Sequence, residues 1–480
     1  MGQAILLCRR TFIAGVFTLF GLVPSLALGQ DTKTDTPATK AEAPKAATPK
    51  PPTAAPAVLE LDAPIWAEAH RDALMRNSFR ELTGPPLSAE QLNSVLEMAR
   101  GDAPSDAVLI KRYVDYYAAE LTRRPNLDAM MGTEGADARR ARDLDKAANG
   151  LIAPLNMPVS SNNQAFRRVY TNQLKSVAPA LLEGHLFSRS FIMVVLSRVA
   201  TSDFVPLFIE AIASDEQPYT VKMLAASGLI AASQGGRRPL DPNREGIPAA
   251  QALLAFLEAD PSAPWPVQAR CLEALGVLRQ STADPVSRSA EFADLPFQIL
   301  MDEKVDPQLR AWAAWSLSRL AYPGLGGAPN LEAVAYALGK AAVAAGEKIV
   351  AIPVPAASPT KNLKLVARGS EPLVRILEAF EGEPELRGSG FKALAAGSSA
   401  MRGVEERIRA LTSASVLLSQ SAGSQVNQSR EAVQAAVTEL KSYLAANPPK
   451  KPEFYTGGPS IATKPVSDNT QSPSEDSKQP

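Results

Sequence analysis

Three stretches of this sequence superimpose without a gap: VKMLAASGLIAA, VQARCLEALGVL and LRAWAAWSLSRL, starting at Val221, Val267 and Leu309. Each opens on a branched apolar residue and continues with a polar or basic one. Small residues follow around the fourth and fifth positions after the start, and Leu stands at the eighth. The shared positions are Val221, Ala225, Ala226 and Leu229, then Val267, Cys271 and Leu275, then Leu309, Arg310, Ala313, Ala314 and Leu317. With starts at 221, 267 and 309 the copies lie 46 and 42 residues apart, within the period of roughly 40 to 47 that paired-helix repeats use. Each copy is preceded by another apolar stretch: DFVPLFIEAIAS from Asp203, PAAQALLAFLEA from Pro248 and ADLPFQILMDEK from Ala293. The unit is therefore helix, turn, helix. Such a unit cannot bury its apolar face alone, so neighbouring copies must stack. At roughly 1.5 to 3 kcal/mol per fully buried large apolar side chain, a handful of positions per unit holds a stack together.

The second helix of each unit resembles that of the HEAT-repeat, armadillo-like family: valine, arginine, two variable residues, paired small residues, then leucine and often glycine. Arg310, Ala313, Ala314 and Leu317 match best, and Asp306-Pro307 matches the family's entry to that helix. The second copy departs at Leu272 and keeps Gly276, and the first has Lys222 for the arginine. The resemblance covers about 203–321, with an earlier pair over 166–200. It implies an all-α fold, an α-solenoid of HEAT-like hairpins, and says little about function.

In the third copy, Trp312 and Trp315 fall on one helical side. As packing they fill a bulky gap between units; the competing reading is a surface that grips a peptide. Arg310 is expected to bond a carboxylate or carbonyl of a neighbouring loop.

Alanine is abundant and aromatic residues make up only 6% of the chain, which favours close helix packing. LSAEQLNSVLEMAR offers Ser88 as an N-cap with Gln91 three residues on, a capping box that predicts a helix over 89–100. A second helix is expected at about 106–122, burying Leu109, Ile110, Tyr113, Tyr117 and Leu121. Beyond Tyr322, LEAVAYALGKAAVAA resumes a helix, whereas EKIVAIPVPAASPTKNLKLVARGS reads as extended segments or a long loop because of its prolines. EPLVRILEAFEG and the stretches after it form a terminal helical cap, charged enough to close a stack.

The N-terminus has the form of an export signal: MGQAILLCRR, an uncharged stretch from Thr11 to Gly29, and small residues before Gln30. RRTFIAG from Arg9 also fits the twin-arginine pattern, so two export routes stay open, with an uncleaved anchor as a third alternative. Removal of the signal takes Cys8 with it and leaves Cys271 unable to form an internal disulfide. Proline, alanine, threonine and lysine dominate the stretch to Val58, and NPPKKPEFYTGG opens a proline-rich polar end; both lack apolar residues to bury. The expected organisation is a signal at 1–29, a disordered linker at 30–58, an N-terminal helical region at 59–160, repeats at 161–345, an irregular insertion at 346–370, C-terminal helices at 371–446 and a disordered tail at 447–480. Localisation follows as the periplasm or exterior of a bacterium, with no transmembrane span once the signal is cleaved.

Fifty basic and fifty acidic residues cancel, so no overall field draws the protein to nucleic acid. The two histidines, His70 and His185, stand far apart with no cysteine near either, which leaves zinc sites and histidine-dependent triads without support. Glu183 and His185 read as a turn between helices. The matches Ser358 to Lys361 and Ser389 to Lys392, with Ser-Asp-Asn at 468–470, lack the lysine-threonine-glycine strand of serine-lysine acyl enzymes. The charges of ADARRARDLDKAA at 136–148 alternate at helical spacing, a solvated face. No metal, cofactor or catalytic residue is called for. The expected role is a non-enzymatic scaffold whose repeat surface, or the segment near 350–370, binds another protein or an extended peptide. The alternative is a hydrolase-type enzyme of the cell envelope that uses the repeats to support a site in the irregular region.

Overall fold

A computed structural model of the chain describes residues 79–133, 135–235, 240–284, 290–322, 329–353, 360–383, 388–394, 398–421 and 425–454. The expected signal, the linker, residues 59–78 and the chain after 454 lie outside the described residues. All those described belong to the unit Asp62–Pro480. They are helical, with no β-strand among them.

The N-terminal helices start where short polar side chains can take over from the missing turn. Helix α1 (Ala89–Arg100) opens on Ser88, whose hydroxyl accepts from the Gln91 amide at 3.2 Å while the Gln91 side chain accepts from the Ser88 amide at 3.1 Å. Asp106 caps α2 (Ala107–Thr122) by accepting from Val108 and Leu109. After α3 (Arg124–Met131) and α4 (Ala141–Ile152), helix α5 (Gln164–Leu182) packs on α2. The buried phenols find acceptors: Tyr113 donates to the Gly150 carbonyl and Tyr170 to the Leu151 carbonyl, both at 2.9 Å.

From α6 (Leu186–Val199) onward the helices alternate between two rows. One row holds α6, α8 (Tyr219–Gly235), α10 (Trp265–Leu278) and α12 (Pro307–Leu317), packed in series. The other holds α7 (Val205–Ala213), which packs on α8, α9 (Ile247–Ala259), which packs on α7 and α10, and α11 (Asp294–Met301), which packs on α12. Leu229, Leu275 and Leu317 are fully buried, as are Ala225, Ala226, Cys271, Ala313 and Ala314, and Val221, Val267 and Leu309 are buried beside them. Small residues set how close the helices come. A Cβ built on Gly228 would stand 2.4 Å from the Phe208 ring, so α7 and α8 meet through the missing side chain.

Helix α12 is covered on every side. It packs on α10, on α11, on α13 (Leu331–Ala351) and, beyond α14 (Thr360–Gly369), on α15 (Glu371–Glu381). Its residues are buried from Leu309 through Leu317. Short α16 (Phe391–Leu394) then leads to α17 (Ser399–Gln420) and α18 (Gln425–Ala446), which pack on each other and on α13 as a bundle.

Two sequence expectations change here. The insertion expected at 346–370 is helical on both sides of its prolines: α13 runs on to Ala351, and α14 begins at Thr360. The prolines lie at 353, 355 and 359, so they interrupt only the stretch between the two helices. The β-branched residues before them face inward instead of forming a strand, with Ile349 and Ile352 buried. A boundary at 345 therefore cuts through α13 at a close helix contact, since a Cβ on Gly346 would meet the Val437 side chain at 2.6 Å. The tail expected from 447 is ordered as far as Phe454, whose ring is only 5% exposed. An aromatic ring in a polar segment supplies the apolar area that the flanking prolines and lysines lack.

Candidate binding surface

Helices α10, α12 and α15 lie side by side and bring an aromatic and charged cluster together. Trp312 and Trp315 stack edge to face, ring centroids 5.6 Å apart at 63°. They are 6% and 5% exposed, so they form a floor, as packing requires. The Arg319 guanidinium lies 3.6 Å above the Trp315 ring, and that of Arg375 lies 4.0 Å above Trp312.

Each arginine of the cluster is matched by a carboxylate. Arg270 pairs with Glu273 and Arg375 with Glu378, both at 2.6 Å and both three residues apart on one helix. Arg319 follows the last turn of α12, where it donates to the Trp315 carbonyl at 3.2 Å and to Glu383 at 3.1 Å, satisfying a helix-end acceptor and a carboxylate at once. Burial brings the Arg319 pKa down to about 10 against the opposing charge of Glu383, which leaves it a cation at neutral pH. Burial raises the Glu273 carboxyl, with Arg270, Arg375 and Arg319 opposing. The side chains of Arg270 and Glu273 are mostly buried, 19% and 18% exposed, and those of Arg375 and Glu378 are partly exposed. The cluster presents paired charges of both signs over an apolar floor, which suits a polar, extended partner better than a polymer of one charge.

The second position of each sequence copy has a common fate. Lys222 donates to the Ile212 carbonyl at 2.7 Å, Arg310 to the Leu300 carbonyl at 2.8 Å, and Gln268 to the carbonyls of Pro261 and Ala263 at 3.1 and 2.6 Å. In the first and third copies the acceptor ends the preceding helix, where a cation also meets the negative end of the helix dipole. Arg310 thus takes a carbonyl, one of the two expected acceptors, but at the end of a helix and not in a loop.

Other candidates are dispersed. His185 caps α6 by accepting from Phe187 at 3.3 Å, in the turn expected there. Ser389 bonds the backbone of Glu383, while Lys392 pairs with Glu405 at 2.7 Å, so this serine and lysine serve different partners. Ser358 and residues 468–470 lie outside the described residues. Asp143 and Lys146, in the alternating charged stretch, pair at 2.7 Å on an exposed face. Burial pushes the Cys271 thiol up to about 12, far from a reactive thiolate at neutral pH. Among the described residues no group of histidine, cysteine or carboxylate side chains could hold a metal ion, and no helix is long and apolar enough to cross a membrane.

Sequence alone did not bring Glu273, Arg319, Arg375, Glu378 and Glu383 together. The spacing of Arg270–Glu273 and of Arg375–Glu378 is the signal that was available for part of the set. No family model, no curated protein and no solved structure matches the chain.

Proposed function

We propose that the protein is an exported, non-enzymatic scaffold of the bacterial cell envelope, a HEAT-like α-solenoid that offers its second-helix face to another protein or an extended peptide. The observation that carries this reading is the serial packing of α6, α8, α10, α12 and α15, with repeat-equivalent leucines buried beneath. Stacking of that kind lines up one helix per unit; α12 is covered, so the exposed side chains of the series belong to α6, α8, α10 and α15. The partly exposed Arg–Glu pairs across α10 and α15 give this face both charge signs over a tryptophan floor. Export is supported by the N-terminal residues, and the proline-rich stretch before the helices suits a spacer.

Photo-crosslinking amino acids in the native compartment test this reading. Met223 on α8, Val277 on α10 and Val374 on α15 carry the probe on the proposed face; Gln251 and Glu258 on α9 carry it on the other row. Discrete adducts from the first set and none from the second are expected. Equal labelling from both sets, or none from either, overturns the reading.

A further inference from the structure

Asn330 does two things with one side chain. Its Oδ1 accepts from the amides of Glu332 and Ala333, capping α13. Its Nδ2 donates to the carbonyls of Lys451 and Glu453, at 2.8 and 3.0 Å. The Asn330 amide adds a bond to the Phe454 carbonyl at 2.5 Å, and the Lys450 amide donates to Glu332 at 3.5 Å. Segment 450–454 is thus held through main-chain groups, and the chain bends at Lys450, Glu453 and Phe454, which brings the carbonyls of Lys451 and Glu453 onto one donor group. Its single buried side chain is Phe454, whose ring meets Phe297 at 4.8 Å and Tyr322 at 6.1 Å. The side chains of Lys450, Lys451, Pro452 and Glu453 are exposed.

Backbone hydrogen bonds for affinity and one pocket for an anchor are a common way for proteins to read short peptides. Capping fixes the orientation of the Asn330 amide, so its donors point into this groove with or without the segment. We infer that the groove formed by Phe297, Tyr322, Asn330 and Glu332 is a binding site for a peptide with a phenylalanine two residues after a proline, held in the bent conformation of residues 450–454, which are its internal occupant. This rests on the scaffold reading and adds to it a second, chemically defined site. The segment begins directly after α18 and is tethered a few residues from the groove, an arrangement that gives it an effective concentration in the millimolar range. A free peptide therefore competes poorly until the anchor is removed.

The test uses full-length chain and a labelled, amidated peptide, Pro-Pro-Lys-Lys-Pro-Glu-Phe, followed by fluorescence anisotropy. Phe454→Ala is expected to bind the peptide at least tenfold more tightly than the parent chain, and a peptide with alanine for its phenylalanine is expected not to bind. Adding Asn330→Asp keeps an oxygen to cap α13 but removes the Nδ2 donors; binding should fall at least tenfold while the unfolding midpoint stays close to that of Phe454→Ala. Equal binding by the parent and Phe454→Ala, or undiminished binding after Asn330→Asp, overturns the inference. Neither result touches the crosslinking pattern on α8, α10 and α15, so the two readings fail separately.

Discussion

Gly276 of α10 sits against the indole of Trp315 on α12: a Cβ added there would come within 2.8 Å of Cζ3 and 3.0 Å of the Ser316 Cα. Alanine is worth about 1 kcal/mol more than glycine inside an exposed helix, so Gly276→Ala has two opposed effects. The ring cannot yield easily, because the Arg319 guanidinium lies 3.6 Å from its centroid, and the second contact is backbone. Overpacking of that kind costs about 1 to 3 kcal/mol, so after the helix-propensity gain a net loss of up to about 2 kcal/mol is expected in urea unfolding. A more stable Gly276→Ala chain would show that α10 and α12 are not locked at this distance.

Lys222 and Arg310 end on equivalent atoms, carbonyls ten residues earlier at the close of α7 and α11. Arg310 is 1% exposed, so Arg310→Met fills most of the volume but leaves the Leu300 carbonyl without this donor. A loss of about 1 to 3 kcal/mol is expected, with a comparable loss for Lys222→Met. Arg310→Ala adds a cavity and should cost more. Denaturant midpoints unchanged in both methionine variants would remove these bonds from any role in holding the helix pairs.

The helices were legible where local chemistry and long period agree. Ser88 and Gln91 mark the start of α1 within four residues of sequence, and the apolar spacing of the three copies marks α8, α10 and α12. Two failures have a common physical origin. The residues around Ile349 look like a strand by composition, and only the Leu411 and Val437 side chains packed against Gly346 show why a helix wins there. Phe454 is a lone aromatic in a polar segment, and the residues that receive it, Phe297, Tyr322 and Asn330, are over a hundred positions away. The same holds for the candidate surface: Arg270 and Glu273 advertise a helical pair, but Arg375 above Trp312 is a product of tertiary packing, invisible in either segment alone.

Tryptophan accessibility separates floor from surface. Trp265 is 38% exposed at the start of α10, whereas Trp312 and Trp315 are buried. In a Trp66→Phe chain, acrylamide quenching is expected to act mainly on Trp265. A further Trp265→Phe change should leave blue-shifted emission that is quenched several-fold less steeply. Arg375→Ala uncovers the Trp312 ring and should restore part of the quenching. A steep quenching curve in the chain retaining only Trp312 and Trp315 would place both indoles in solvent and turn the floor into a surface.

His185 makes stability depend on pH in a calculable direction. Its ring is buried in the turn before α6 and stacks on Phe79 at 4.9 Å; burial lowers its pKa to about 4, with Asp128 opposing and Arg189 reinforcing. An imidazole in the unfolded chain titrates near 6.5. Between these values the unfolded chain holds a proton that the folded one lacks, so acidification through this window favours unfolding. Going from pH 7 to pH 5 should cost about 2 kcal/mol through this group alone. His185→Asn retains a side-chain acceptor for the Phe187 amide and removes the titration, so the parent should lose about that much more stability than the variant over the same interval. Parallel stability profiles for the two chains would mean that the imidazole is protonated or solvated in the folded state.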